Sequence, residues 1–156
     1  MRSFKWSSIM NGLIITTSLL FVTLMMASPV LAHSESWYFY QGLNGRVVDG
    51  SVNGIIRNLP AGVLTISGEV WTTNIAPGPT GVQPHTIEVH KKKLIGSDKI
   101  CAPKIYPPAN DIGQRHAVSF SKDCGTIEAS SEYYLYIWRT VIDGREVEGS
   151  GTLEVR

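Results

Sequence analysis

The sequence predicts an all-β protein: a small antiparallel β-sandwich of immunoglobulin-like appearance with roughly seven to nine strands. Three observations carry this. Beyond residue 32 the chain is a series of short runs rich in Val, Ile, Thr and aromatic residues, which suit a pleated, half-buried surface. Within those runs apolar and polar residues alternate, the period of a strand and not of a helix. Gly, Pro, Asn and Asp separate the runs, supplying the backbone angles that turns need.

Residues 1–32 lie outside that pattern. Arg2 and Lys5 make a positive start, residues 12–26 are apolar or small and uncharged, and Ser28-Pro29-Val30-Leu31-Ala32 ends as a cleavage site would. The expectation is a signal peptide over 1–32, removed on export, and one domain over 33–156. The protein is then secreted and extracellular with no stable membrane anchor after processing, because the apolar core falls short of the about 20 residues a span requires. Two of the 14 Lys and Arg and none of the 13 Asp and Glu fall in this segment, which leaves 12 basic against 13 acidic side chains. Near-neutrality excludes a nucleic-acid partner held mainly by charge.

Trp37-Tyr38-Phe39-Tyr40 opens the domain as an aromatic strand, and Asn44-Gly45 turns it into 46–48. Asp49-Gly50 and Asn53-Gly54 bracket a short arm, and Pro60 marks the next turn with its preset φ. Residues 63–71 alternate, placing Leu64, Ile66 and Val70 on one face and Thr65, Ser67, Glu69 and Trp71 on the other. Residues 72–84 contain Pro77, Gly78, Pro79, Gly81 and Pro84 and read as a long loop too rich in Pro to pair.

Residues 85–91 resume as a strand with Ile87 and Val89 on one face and Thr86, Glu88 and His90 on the other. Lys91-Lys92-Lys93 reads as its solvated end. Leu94-Ile95 and Lys99-Ile100-Cys101 suggest a further short strand pair, and residues 102–110 form a second Pro-rich loop. Residues 115–121 alternate again, with His116, Val118 and Phe120 together.

The chain closes on what reads as a hairpin over 132–155, turning at Asp143-Gly144 in a type I′ turn. A two-residue loop pairs Ile142 with Arg145, and so sets Trp138 opposite Gly149 and Tyr136 opposite Gly151. The rings would fold over the bare glycine backbone. The core is then expected around the Tyr134, Tyr136 and Trp138 rings, with Arg139 on the opposite face.

Cys101 and Cys124 are the only two cysteines. In an exported chain they predict a disulfide. No serine-hydrolase elbow, phosphate loop, dinucleotide fingerprint or calcium loop is present, so no catalytic residue and no cofactor is assigned. The aromatic residues next to and within the two Pro-rich loops, Trp71 and Tyr106, are the expected binding residues. Rigid amphipathic rings there suit a glycan, a cell surface or a protein partner. The chain thus reads as a secreted, non-catalytic binding protein.

A copper protein is the alternative. Cleavage after Ala32 would make His33 the first residue, able to chelate copper through its amine and ring nitrogen together, and His85, His90 or His116 could supply a second ring, of which His90 shares a strand face with Glu88. In its terminal histidine this resembles lytic polysaccharide monooxygenases and periplasmic copper-binding proteins, which use sandwich folds. The resemblance rests on His33 alone.

Overall fold

A computed structural model describes residues 32–78 and 81–156. Residues 1–31 of the expected signal peptide lie outside the described residues. The described chain forms ten strands: β1 (His33–Gln41), β2 (Val47–Asp49), β3 (Arg57–Leu59), β4 (Gly62–Ile75), β5 (His85–Lys92), β6 (Ser97–Cys101), β7 (Lys104–Ile105), β8 (Val118–Ile127), β9 (Ser130–Trp138) and β10 (Arg145–Val155). One 3-10 turn, Gln114–His116, precedes β8.

Two antiparallel sheets make the sandwich. The first runs β1-β10-β4-β8; the second runs β2-β9-β5-β6, with β3 on β9 and β7 on β5. Setting β3 and β7 aside and renumbering, the orders become 1-8-3-6 and 2-7-4-5. That is a jelly roll, so the strand order refines the immunoglobulin-like appearance.

The core lies between the sheets, built by alternate residues of each strand. Trp37 and Phe39, Leu64, Ile66 and Val70, and Val147, Leu153 and Val155 face inward from the first sheet. Leu59, Ile87 and Val89, Ile105, and Tyr133, Leu135 and Ile137 meet them from the second. Alternation in β4 and β5 is as the sequence predicts. The Cys101–Cys124 disulfide forms, with Cα atoms 5.3 Å apart. It joins β6 to β8, the edge strands on one side of the sandwich, and so staples the two sheets there.

The terminal hairpin is not formed. β9 belongs to one sheet and β10 to the other, so the connection crosses between sheets. A type I′ turn needs positive φ at both central residues. Gly144 has φ +68, but no residue other than glycine has positive φ among the described residues. Glycines 149 and 151 are covered by rings, but from the other end of the chain: Phe39 is opposite Gly149 and Trp37 opposite Gly151. A Cβ on Gly151 would sit 2.6 Å from the Trp37 ring.

The faces of β9 are also reversed from expectation. Tyr133, Leu135 and Ile137 point into the core, and Arg139 follows them inward, 1% exposed. Its guanidinium uses all its donors. Nε donates to Gly45 O at 2.8 Å, Nη1 to Asp143 Oδ1 at 2.7 Å and Arg145 O at 2.8 Å, and Nη2 to Gly42 O and Leu43 O at 2.8 and 3.0 Å. Five fixed donors in a planar fork are what make an interior arginine tolerable.

Asp143 is thereby a buried anchor and not a turn residue. Its Oδ2 accepts from Gln83 N at 3.0 Å. Arg145 donates through Nη1 to Gly81 O at 2.7 Å and through Nη2 to Ala109 O at 2.9 Å. One buried cluster therefore pins both Pro-rich loops. Both are also shorter than expected: β4 extends to Ile75, and Lys104 and Ile105 pair with Thr86 and His85.

His85 is fully buried beside this cluster, stacked on Phe39 with ring centroids 6.3 Å apart. Burial, and then the Arg139 charge, push its pKa down from 6.5 to about 4. An unfolded histidine binds its proton near pH 6.5 and the folded one only near pH 4, so between these values the unfolded state holds more protons. The contribution is complete above pH 6.5 and shrinks as pH falls toward 4, by about 3 kcal/mol in all. The expected result is a fall in unfolding midpoint from pH 7 to pH 4.5. The fall should be smaller in His85→Leu; an equal fall in both would place the acid sensitivity elsewhere.

Candidate binding faces

The outer face of the first sheet carries the exposed rings. In β1 the inward positions hold Trp37 and Phe39, and the outward positions hold Tyr38 and Tyr40, 60% and 49% exposed. Successive residues of a strand point to opposite sides, so two side chains on the same face stand one pleat repeat apart. Tyr38 is opposite Ser150 and Tyr40 opposite Glu148 on β10. On the far side of β10, Glu148 is opposite Trp71 and Ser150 opposite Glu69 on β4.

Partial desolvation, and then the neighbouring Glu148 carboxylate, raise the Tyr38 phenol above its ordinary value. Desolvation, then Glu146 and Glu148, do the same at Tyr40. The carboxylates thus stand beside the phenol groups, and the rings leave much of their surface open to water. Two solvent-open rings bordered by acceptors can stack on the apolar face of a polar ligand while the carboxylates take its hydroxyl hydrogens. The alternating order Trp-Tyr-Phe-Tyr was the available signal: the hydroxyl-bearing rings share one face.

Trp71 lies on this same outer face but is only 6% exposed, so it is not the open ring that its place beside the first Pro-rich loop leads one to expect. The second loop is tied to the neighbouring residue of β4. Thr72 Oγ1 donates to Pro108 O at 3.0 Å, and Gly113 N donates to Thr72 O at 2.8 Å. Tyr106 in that loop is exposed, at 60%. The expected pair therefore does not form one open surface.

The outer face of the second sheet holds Tyr134, Tyr136 and Trp138 beside Glu88 and His90. These side chains satisfy one another. His90 Nε2 and Glu88 Oε2 are 2.7 Å apart, His90 Nδ1 and Ser97 Oγ are 2.9 Å apart, and the His90 ring packs on Tyr134 and Tyr136. Burial works to raise Glu88, but hydrogen bonds from His90 and Trp138 and the charge of Lys99 hold it below the usual carboxylate range. Tyr134 and Glu88 are buried. The cluster clamps β5 to β6 and β9 and leaves less open surface than the Tyr38–Tyr40 pair.

His33 and His90 are not brought together. His33 stands at the start of β1 in the first sheet, its Nε2 3.3 Å from Glu35 Oε1. His90 is in the second sheet with both ring nitrogens engaged. Among the described residues no group of three or more His, Cys, Asp or Glu side chains could hold a metal ion.

A groove of about 550 Å³ opens near the disulfide-stapled edge, lined by Lys91, Asp98, Thr126, Glu128 and Tyr133 among others. Its charges are answered internally: Lys91 pairs with Glu128, and Tyr133 Oη donates to Glu128 O at 2.7 Å.

No known family profile and no curated protein matches the chain. Among solved structures it is similar to the C-terminal family 22 carbohydrate-binding module of Clostridium thermocellum Xyn10B. The identity is 10% and the TM-score 0.36, over 83% of this chain and 88% of that one. A likeness this remote bears on neither ligand nor site.

Proposed function

We propose that the chain is an exported, non-catalytic module that binds a glycan on the outer face of its first sheet. Tyr38 and Tyr40 supply the stacking surface, and Glu146, Glu148 and Ser150 the polar contacts. One observation carries the reading: two aromatic side chains stand open to water on a regular strand, 60% and 49% exposed, where the core does not use them. Removing them should leave the fold intact. The N-terminal segment and the disulfide support export, since such bridges persist in oxidising compartments.

The test is affinity electrophoresis through gels containing soluble plant or bacterial polysaccharides. Wild type should be retarded by at least one of them. The Tyr38→Ala/Tyr40→Ala double variant should lose at least about 10-fold in affinity, as when the central aromatic anchors of an interface are removed. Tyr106→Ala, in the second Pro-rich loop, should bind as wild type. Loss in Tyr106→Ala with retention in the double variant would move the site to the loop, and absence of any retardation would overturn the glycan reading.

A further inference from the structure

The hairpin between β5 and β6 breaks a local rule. Its apex is Leu94-Ile95, closed by a hydrogen bond from Lys93 N to Gly96 O at 3.0 Å, with Gly96 at φ +75. Tight turns favour Gly, Asn, Asp and Pro. Here two large aliphatic residues sit at the tip, Leu94 fully exposed and Ile95 89% exposed. Neither contributes to the core cluster. A departure from turn chemistry with no gain in packing points to a role outside the fold.

The surroundings are equally specific. Lys91, Lys92 and Lys93 lead into the apex, and Lys99 stands on the returning strand. Lys91 pairs with Glu128, Lys93 with Asp98 at 2.6 Å, and Lys99 Nζ is 3.6 Å from Glu88. Lys92 has no ion pair among the described residues. Glu132 shares a shallow groove with Lys92, Lys93 and Leu94. Behind the tip the hairpin is braced by the Ser97–His90 contact and by the disulfide at Cys101.

We propose that this hairpin docks the protein reversibly on a lipid bilayer, with Leu94 and Ile95 entering the headgroup–acyl boundary and the lysines meeting lipid phosphates. An apolar pair on a convex tip buries little against another protein, where a standard interface covers about 1,600 Å². A bilayer accepts such a point insertion, and lysine stems lie along the boundary while their ammonium groups reach the phosphates. Because Glu88, Asp98, Glu128 and Glu132 match the four lysines in number, the apolar tip carries the binding, and anionic lipid adds what Lys92, without an ion pair among the described residues, can supply. The braced hairpin needs little ordering on insertion. This inference is independent of the glycan face on the first sheet.

The test is co-sedimentation of the mature protein with vesicles of phosphatidylcholine alone or with about 30% phosphatidylglycerol added, the anionic lipid drawing in the lysines. Wild type should bind both, more strongly the second. Leu94→Ser/Ile95→Ser should lose at least about 10-fold in partitioning, as expected when the inserting apolar side chains are removed. The same variant should keep wild-type polysaccharide retardation, which separates the two sites. Wild type that stays in the supernatant with both vesicles, or a variant that sediments equally, would overturn the proposal. So would self-association abolished by the double variant in the absence of vesicle binding.

Discussion

Replacing Arg139 by leucine is expected to lower the unfolding free energy by about 3–5 kcal/mol, the cost of removing one partner from a buried ion pair. The side chain is 1% exposed and holds the carbonyls of Gly42, Leu43, Gly45 and Arg145 as well as Asp143. Leucine fills part of the volume and answers none of those acceptors. The Asp143 carboxylate would remain buried, facing only Arg145 and backbone N–H groups. Urea titration should show a lower midpoint at unchanged slope. The double variant Arg139→Leu/Asp143→Leu should lose less than the two single losses added, because the pair acts as a unit. An unchanged midpoint in Arg139→Leu would mean that the cluster contributes nothing to stability.

Trp37→Ala should be comparably severe, about 3–5 kcal/mol, in the range of large-to-small changes in cores. The indole is 3% exposed and lies over backbone from which side chains are missing. A Cβ on Gly68 would stand 2.5 Å from the Trp37 ring, and one on Gly151 2.6 Å. The ring thus occupies room that two glycines of adjacent strands leave free. Alanine at 37 would leave a cavity, and the surrounding backbone cannot close it without breaking the β10–β4 ladder. Trp37→Phe should lose less, because a smaller ring still covers the glycines. Thermal midpoints of the two variants check this, and equal midpoints would show that the volume over the glycines is unimportant.

Those two sites show where sequence reading succeeded and where it stopped. β4 and β5 were legible because Thr65, Ser67 and Glu69, or Thr86, Glu88 and His90, alternate with aliphatic residues and name the outer face. β9 offers no such contrast: Tyr133 to Trp138 are apolar or aromatic on both sides, so period two cannot say which side is the core. An arginine next in line reads as outward. Only a cage of carbonyls drawn from residues 42–45, distant in sequence, reverses it. Asp143-Gly144 misled for a related reason, since the aspartate is committed to two buried arginines. The pairing of bulky rings with Gly149 and Gly151 was anticipated, but the rings came from β1, and strand composition does not say which strand pairs with which. At the candidate site, ring type along 37–40 carried a legible signal, whereas the burial of Trp71 on the outward side of its strand has no signal in the local alternation.

The position of β10 has a consequence for biogenesis. This strand lies between β1 and β4 in the first sheet, so β1, the earliest of the described strands to be made, has no neighbour to pair with until residues 145–155 arrive, whereas β4 can already pair with β8 and β2 and β3 with β9. Sheet completion must wait for the C-terminal segment, as non-local strand pairing generally does. Until β10 is in place the Trp37 and Phe39 rings of β1 have no sheet to join, so a chain lacking residues 145–155 would leave both rings in water.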